Sequence, residues 1–180
     1  VGGFAPPRIE PDVVFNPAAP VAAGPDARAV LAATEWVAAG FEIVQSHFPE
    51  WKFAAADCTA AFGLHAALTV GEPYAIDAAK RDAIVAALPR IRATLRNGDA
   101  IVDTGVGVNV LDSPALAVAH LANVLARYPR HPPLQAGEII TTGTITDAWP
   151  VLPGETWSSD YSELPLRGLT LRFVSSGELR

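Results

Sequence analysis

Three carboxylates are the first residues of this chain that could do chemistry. Glu10 and Asp12 lie two apart in "RIEPDVVF" (8–15), and Glu42 follows in "GFEIVQS" (40–46). Side chains two apart on a strand point to one face, so the pair stands side by side. Ile9, Pro11, Val13 and Phe15 then share the opposite, apolar face. Like charges at that spacing repel unless water or a cation lies between them. Three carboxylates on a strand framework suit a hard divalent cation, Mg²⁺ or Mn²⁺, which takes oxygen ligands and keeps positions open for water or substrate. The competing reading is a solvated edge strand, whose charges discourage aggregation. An E-x-D pair is too short a motif to decide between the two.

A second group lies in "TTGTITDAWPV" (141–151), where Gly143 is flanked by hydroxyls. Such a turn can present Thr144 Oγ and backbone N–H groups to an anion, or it is an ordinary β-turn. His47, His65, His120 and His131 lack metal-ligand spacing. His65 follows Gly63 at a strand entry, where a substrate contact fits, whereas His120 reads as a structural residue near the packed face of a helix. The single cysteine, Cys58, excludes an internal disulfide and a Cys-based zinc cluster. There is no nucleophile elbow, P-loop or G-x-G-x-x-G, and no helix starts directly after "GVGVN" (105–109).

These residues need strands to position them. Residues 8–15 read as one, with Pro11 marking an edge or a local break. The Pro/Gly-rich loop 16–26 is apolar and is expected to pack down. Asp26 caps a short helix, "ARAVLAAT", and a second strand spans 36–46. A helical turn near 57–63 leads to a strand over 65–70, and "IDAAKRDAIVAAL" (76–88) has helical propensity. Residues 90–96 and 99–105 form a hairpin, with Asn97 and Gly98 supplying two positive φ values of a type I′ turn. The main helix covers about 113–128. Asp112 or Ser113 caps it, Pro114 opens it and Pro129 ends it, with Val118, Leu121, Leu125 and Tyr128 on one face. Residues 137–145 read as a strand with a turn. "GETWSSDY" and "LRGLTLRFV" make the last strand pair, with Leu169, Leu171 and Phe173 on one face.

The chain has 180 residues, half of them hydrophobic, which suffices for one domain with a real core. The class is α+β: mostly β, with one main helix and short flanking helices. No apolar run resembles a membrane span, and no secretory signal opens the chain. The net charge is −6 and the pI about 5.1, with no basic stripe, which argues against nucleic acid and anionic membrane as partners. Cysteine usage points to a reduced, cytoplasmic compartment. There is no methionine, and "VGGFAPP" opens like a mid-protein loop, so residues upstream are expected.

Taken together, "RIEPDVVF", "GFEIVQS", "NVLDSPALAVAHLANVLA" and the block from "LQAGEIITTGTI" to "LPLRGLTLRF" resemble the fumarylacetoacetate hydrolase superfamily, in its bacterial 2-keto-4-pentenoate hydratase branch. The resemblance runs from about residue 8 to residue 174. It implies a single catalytic domain with a β-roll core, lacking the family's N-terminal segment. It also implies Mg²⁺ or Mn²⁺ held by Glu10, Asp12 and Glu42, with Asp12 in place of a second Glu, and a substrate carboxylate met by the Gly143–Thr144 turn. Lys52 and His65 are the catalytic candidates. The segment "DCTAAFGL" (57–64) departs from the family pattern, with Ala61 and Phe62 replacing an acidic residue and an Asn. The implied reaction is hydration of 2-hydroxy-2,4-dienoate acids in aromatic-compound degradation. Alternatives are a decarboxylase or acylpyruvate-type C–C hydrolase, or a non-catalytic scaffold subunit. A homo-oligomer, and association with a related hydratase or decarboxylase, are further implications.

Overall fold

A computed structural model describes residues 5–128 and 130–175. Its spine is an antiparallel pair of long strands, β1 (Pro7–Pro17) and β2 (Thr34–Gln45). Ile9, Val13, Phe15, Val37, Phe41 and Ile43 supply the β-branched and aromatic side chains that favour a pleated, buried surface. β2 is flanked by β3 (His65–Val70) and β4 (Tyr74–Ala75), and β1 by β7 (Ile140–Thr141) and β8 (Trp149–Pro150). A second, four-stranded sheet has the order β10 (Thr170–Arg172), β9 (Thr156–Ser162), β5 (Arg92–Asn97), β6 (Ala100–Val106). The helices are α1 (Ala27–Ala33), α2 (Ala55–Ala60), α3 (Arg81–Ala87) and α4 (Pro114–Leu125). Asp26 caps α1, its Oδ1 accepting the Ala29 N–H at 2.7 Å.

Two hydrophobic clusters join the sheets. Val13, Phe15, Val37 and Ala39 pack with Ala93 of β5 and with α1, α3 and α4. Ile9, Phe41 and Ile43 pack with Leu95 and Trp157 of the second sheet and with Phe173 just after β10. The odd-numbered residues of β1 thus face the core, as alternation requires, and Glu10 and Asp12 face away from it. The architecture is the α+β class expected, with the β-rich core dominant.

Several local expectations are corrected. Of the two readings of Pro11, the local break holds and the edge does not, since β1 is an interior strand. Its outer ladder is broken instead: β8 pairs at Arg8 and Ile9, β7 pairs at Val14 and Phe15, and an irregular segment fills the gap. There the Ile145 N–H donates to Pro11 O at 3.0 Å, and the Thr142 hydroxyl to Val13 O at 3.0 Å. N–H and C=O of one residue point to the same side of an antiparallel strand, so the N–H that Pro11 lacks falls on this irregular side. The strand expected over 137–145 is only Ile140–Thr141 for the same reason. In loop 16–26, Val21 packs down, bridging to Leu134, while most of its neighbours are exposed. The hairpin turn is Gly98–Asp99, because Asn97 still pairs with Ala100, and of the two only Gly98 has positive φ.

The main helix ends at Leu125 rather than 128, and Pro129 lies outside the described residues. Its buried face is Ala115, Val118, Ala119 and Ala122, with Leu121, Tyr128 and His120 exposed. Small residues let the helix sit close, so the packed stripe is alanine-rich rather than leucine-rich. Ser113 stands at the cap position but makes no capping bond. Gly107–Leu125 reaches a mean hydropathy of 1.3. Leu111 and Asp112, at positive φ, interrupt it. The α4 portion is about 18 Å long at roughly 1.5 Å per residue, short of the roughly 30 Å of a bilayer core.

Candidate metal centre

The β1–β2 register builds the site. Glu10 stands directly opposite Glu42, and Asp12 opposite Gly40, so Glu42 is the diagonal neighbour of Asp12. Paired residues of an antiparallel ladder share a face, which puts all three carboxylates on the outer face of the sheet. Val44 pairs with Arg8 on one side and His65 on the other, so both bases lie on that face as well. Like charges directly opposite each other destabilise a bare sheet.

Burial makes the repulsion severe. Asp12 is fully buried, and among the described residues neither carboxylate oxygen has a hydrogen-bond partner. Desolvation, then the charges of Glu10 and Glu42, push its pKa well above the usual carboxylate range. The Gly143 amide opposes this, close enough to favour the charged form without meeting full hydrogen-bond geometry. Glu10 is pushed up to about 7 by burial and by Glu42, and Arg8 pulls the other way. Arg8 is itself held over the Trp51 ring at 4.3 Å, with its Nη1 donating to Ala148 O at 3.2 Å. A buried aspartate with two unpartnered oxygens, beside two further carboxylates, is an arrangement that a bound cation would satisfy. The donor set is all carboxylate oxygen, which suits a hard divalent ion. Among the described residues no three His, Cys, Asp or Glu side chains close on one point.

His65 meets the third carboxylate, with Nδ1 2.6 Å from Glu42 Oε1. The Glu42 side chain is 12 % exposed and His65 47 %, so the histidine forms the solvent side of the pair. Lys52, by contrast, is not brought to the site. It projects into solvent and pairs with Glu50, because the turn at Pro49–Trp51 carries it outward.

Gly143 adopts φ +99°, a value open to glycine, and this turns the loop past Asp12. The Thr144 hydroxyl donates to Thr146 O at 2.9 Å. Thr144 lines a pocket of about 400 Å³ with Asp103, Asn109 and Asp147. Asn109 fixes this loop by donating to Ile145 O at 2.9 Å, and Asp103 accepts from Asp147 N and Trp149 Nε1. Tyr161 OH donates to Asp12 O at 3.0 Å and ties the second sheet to the site. Sequence reasoning missed Arg8, although strand parity put it on the face of Glu10. It had no signal for Tyr161, Asn109 or Asp103, whose contacts span distant segments.

No family model matches the sequence. The chain is 34% identical over 160 residues to the 4-oxalocrotonate decarboxylase of Pseudomonas sp. (strain CF600), covering 88% of this chain and 57% of that protein. It is 34% identical over 154 residues to the 2-hydroxyhexa-2,4-dienoate hydratase of Comamonas testosteroni, covering 85% and 55% respectively. Among solved structures it resembles 4-oxalocrotonate decarboxylase from Pseudomonas putida G7, complexed with magnesium and adipate. That match has a TM-score of 0.80 and 29% identity, over 93% of this chain and 60% of that one. The chain thus spans little more than half the length of the curated relatives it matches.

Proposed function

We propose a function from one premise: the chain belongs to the fumarylacetoacetate hydrolase superfamily, in its 2-keto-4-pentenoate hydratase branch. The function is hydration of 2-hydroxy-2,4-dienoate or 2-oxo-enoate acids to 4-hydroxy-2-oxo acids, dependent on a divalent cation. The observation that carries the cation dependence is the face shared by Glu10, Asp12 and Glu42, with both oxygens of buried Asp12 unpartnered among the described residues, and the choice of hydration rests on the hydratase relatives. The magnesium complex of the structural relative supports the cation class, and Mg²⁺ or Mn²⁺ fits the oxygen donor set.

Glu10, Asp12 and Glu42 would hold the ion. When bound, it supplies Lewis-acid polarisation of a 2-oxo acid and stabilises developing enolate charge. The protein's own groups do the rest. His65 fixes the orientation of Glu42 through Nδ1, and its Nε2 is the atom beside the site able to hold or move a proton. The Gly143 amide offers a backbone donor at the Asp12 side. The loop from Thr142 to Ile145, bonded to Val13 and Pro11, excludes water from Asp12. Lys52 has no part in this arrangement.

Decarboxylation is a second reading, favoured by the decarboxylase relatives, which match this chain as well as the hydratase does. The test is incubation of the chain with 2-hydroxypenta-2,4-dienoate and with 2-oxohex-3-enedioate, in Mg²⁺ and in EDTA. Loss of diene absorbance without CO₂ release, only with Mg²⁺, is the expected result. CO₂ release replaces the proposal with decarboxylation, and turnover unchanged by EDTA overturns the cation's role.

A further inference from the structure

One arginine lies on the face of the three carboxylates, and it does not pair with them. Arg8 shares that face of β1 with Glu10, two residues on. Its ladder partner is Val44, which makes it the diagonal neighbour of Glu42. Long side chains reach such neighbours. A guanidinium beside a buried, self-repelling carboxylate cluster would ordinarily close on it in a charge-assisted, two-pronged pair. Among the described residues Arg8 forms no ion pair. Its charge is felt at Glu10, where it opposes the pKa rise that burial and Glu42 cause.

Two contacts hold the guanidinium elsewhere. Nη1 donates to Ala148 O at 3.2 Å, a neutral acceptor immediately before β8. The guanidinium carbon lies over the Trp51 ring, 4.3 Å from its centroid. That ring is itself held in place. Glu50 and Trp51 run at φ 56° and 58°, two successive left-handed residues that each carry a Cβ. The Trp51 N–H donates to Phe48 O at 3.2 Å and the Lys52 N–H to Pro49 O at 3.1 Å, which closes the turn. Left-handed residues with a side chain are unfavourable and persist where surrounding structure or function over-determines them. This backbone sends Lys52 into solvent and brings Trp51 back against Arg8. Phe53 meets Trp51 with ring centroids 6.4 Å apart, and Phe48 meets Phe53 at 5.7 Å, so neighbouring rings brace it.

We infer that Trp51 is a positioning residue that acts through Arg8: with the Ala148 carbonyl, it holds the guanidinium off Glu10 and Glu42 and keeps the carboxylate cradle open to a divalent cation. The inference rests on the proposed function, because it takes Glu10, Asp12 and Glu42 as the cation's ligands. It adds to that reading a residue outside the cradle. Without the ring, Arg8 keeps one bond to a neutral oxygen, whereas closing on Glu10 offers two to a charged group. A cation would then have to displace an ion pair in order to bind.

The test is calorimetric titration with Mg²⁺ of the unaltered chain, Trp51→Ala, Arg8→Met and the double variant. Trp51 is half-buried and lies outside both hydrophobic clusters, so its replacement leaves the core intact. Trp51→Ala should weaken Mg²⁺ binding by about tenfold or more, the factor that a hydrogen bond to a charged group carries. Arg8→Met should bind Mg²⁺ at least as tightly as the unaltered chain, and adding Trp51→Ala to it should change nothing further. Trp51→Phe, which keeps a ring face, should retain most of the parental affinity. Unchanged binding by Trp51→Ala overturns the inference, and so does weaker binding by Arg8→Met. A Trp51→Ala loss that persists without Arg8 also overturns it, because the ring would then support the site by packing alone. Each of these outcomes leaves the cation cradle standing. Absence of Mg²⁺ binding by the unaltered chain overturns the proposed cation dependence along with the inference.

Discussion

Asp12→Asn separates the cost of the carboxylate cluster from its use. Asparagine keeps the shape and removes the charge from a side chain that is fully buried and unpartnered. In the cation-free chain, Glu10 and Asp12 both have folded-state pKa values above their unfolded ones. Between about pH 4.5 and 7 the folded chain therefore binds more protons than the unfolded chain, so stability falls as pH rises through that window. For Glu10 the displacement from 4.5 to about 7 corresponds to roughly 3 kcal/mol at about 1.4 kcal/mol per pH unit. Urea unfolding in EDTA at pH 5 and pH 8 should show the unaltered chain less stable at pH 8. Asp12→Asn should weaken that slope and be at least as stable as the parent at pH 8. Mg²⁺ at a hundred times its dissociation constant should stabilise the parent by about 2.7 kcal/mol. That is a melting shift of roughly 5–11 °C for a domain of this size. The shift should vanish in Asp12→Asn. A variant that keeps the Mg²⁺ shift, or that loses several kcal/mol at pH 8 in EDTA, refutes the assignment of Asp12 as a strained cation ligand.

Other expectations are narrower. Glu42→Ala should abolish Mg²⁺-dependent thermal stabilisation, and an unchanged shift would remove Glu42 from the site. His65→Ala should weaken cation affinity by about 10–100-fold in a direct titration, the usual range for a group that orients a ligand, whereas Lys52→Ala should leave it unchanged. Burial raises the Asp103 pKa, but the hydrogen bonds from Trp149, Asp147 and Thr104 outweigh it and hold the carboxyl low. Its stabilising contribution is therefore present above its unfolded pKa and lost on acidification through the folded one, so Asp103→Asn should flatten that part of the acid-unfolding curve. Gly105→Ala should destabilise by about 1–3 kcal/mol or more in urea, because a Cβ there would lie 1.9 Å from Ile145 O.

What the sequence made legible was parity. Alternation alone put Glu10 and Asp12 on one face and Ile9, Val13 and Phe15 on the other. It left open whether β1 is an edge, since Pro11 fits either an edge or a ladder broken on one side. The partner that settles the matter is loop 142–145, some 130 residues away. Register was equally hidden, as Glu10 meets Glu42 only because β1 and β2 pair in one particular way across the α1 connection. Half of the expected α4 face holds, since Val118 is buried and Leu125 packs against the core, but Leu121 and Tyr128, core residues by type, are exposed, and close packing selects Ala115, Ala119 and Ala122. Lys52 is a candidate through the family resemblance alone, and the three-residue turn at Pro49–Trp51 directs its side chain into solvent beside Glu50.

An aspartate rather than a glutamate at position 12 has a local reason. Asp12 faces Gly40 across the ladder, and a Cβ added at Gly40 would lie 2.6 Å from Val14 Cγ2 and 3.7 Å from Asp12 Cβ. The strands are therefore packed tightly at this step, and the loop through Gly143 closes over the same carboxylate. A glutamate would need room for one more methylene in a site with no exposed surface, and such overpacking costs about 1–3 kcal/mol. The shorter acid fits the space, but its oxygens are then shielded from solvent and, among the described residues, meet no full hydrogen bond. The fold thus accepts an electrostatic penalty at Asp12 that an apolar residue of similar volume would avoid. Strain of that kind persists when something else uses it. Here Glu10, Glu42 and the orienting His65 are arranged on the same face, and a hard cation is the partner whose binding would turn their mutual repulsion into attraction.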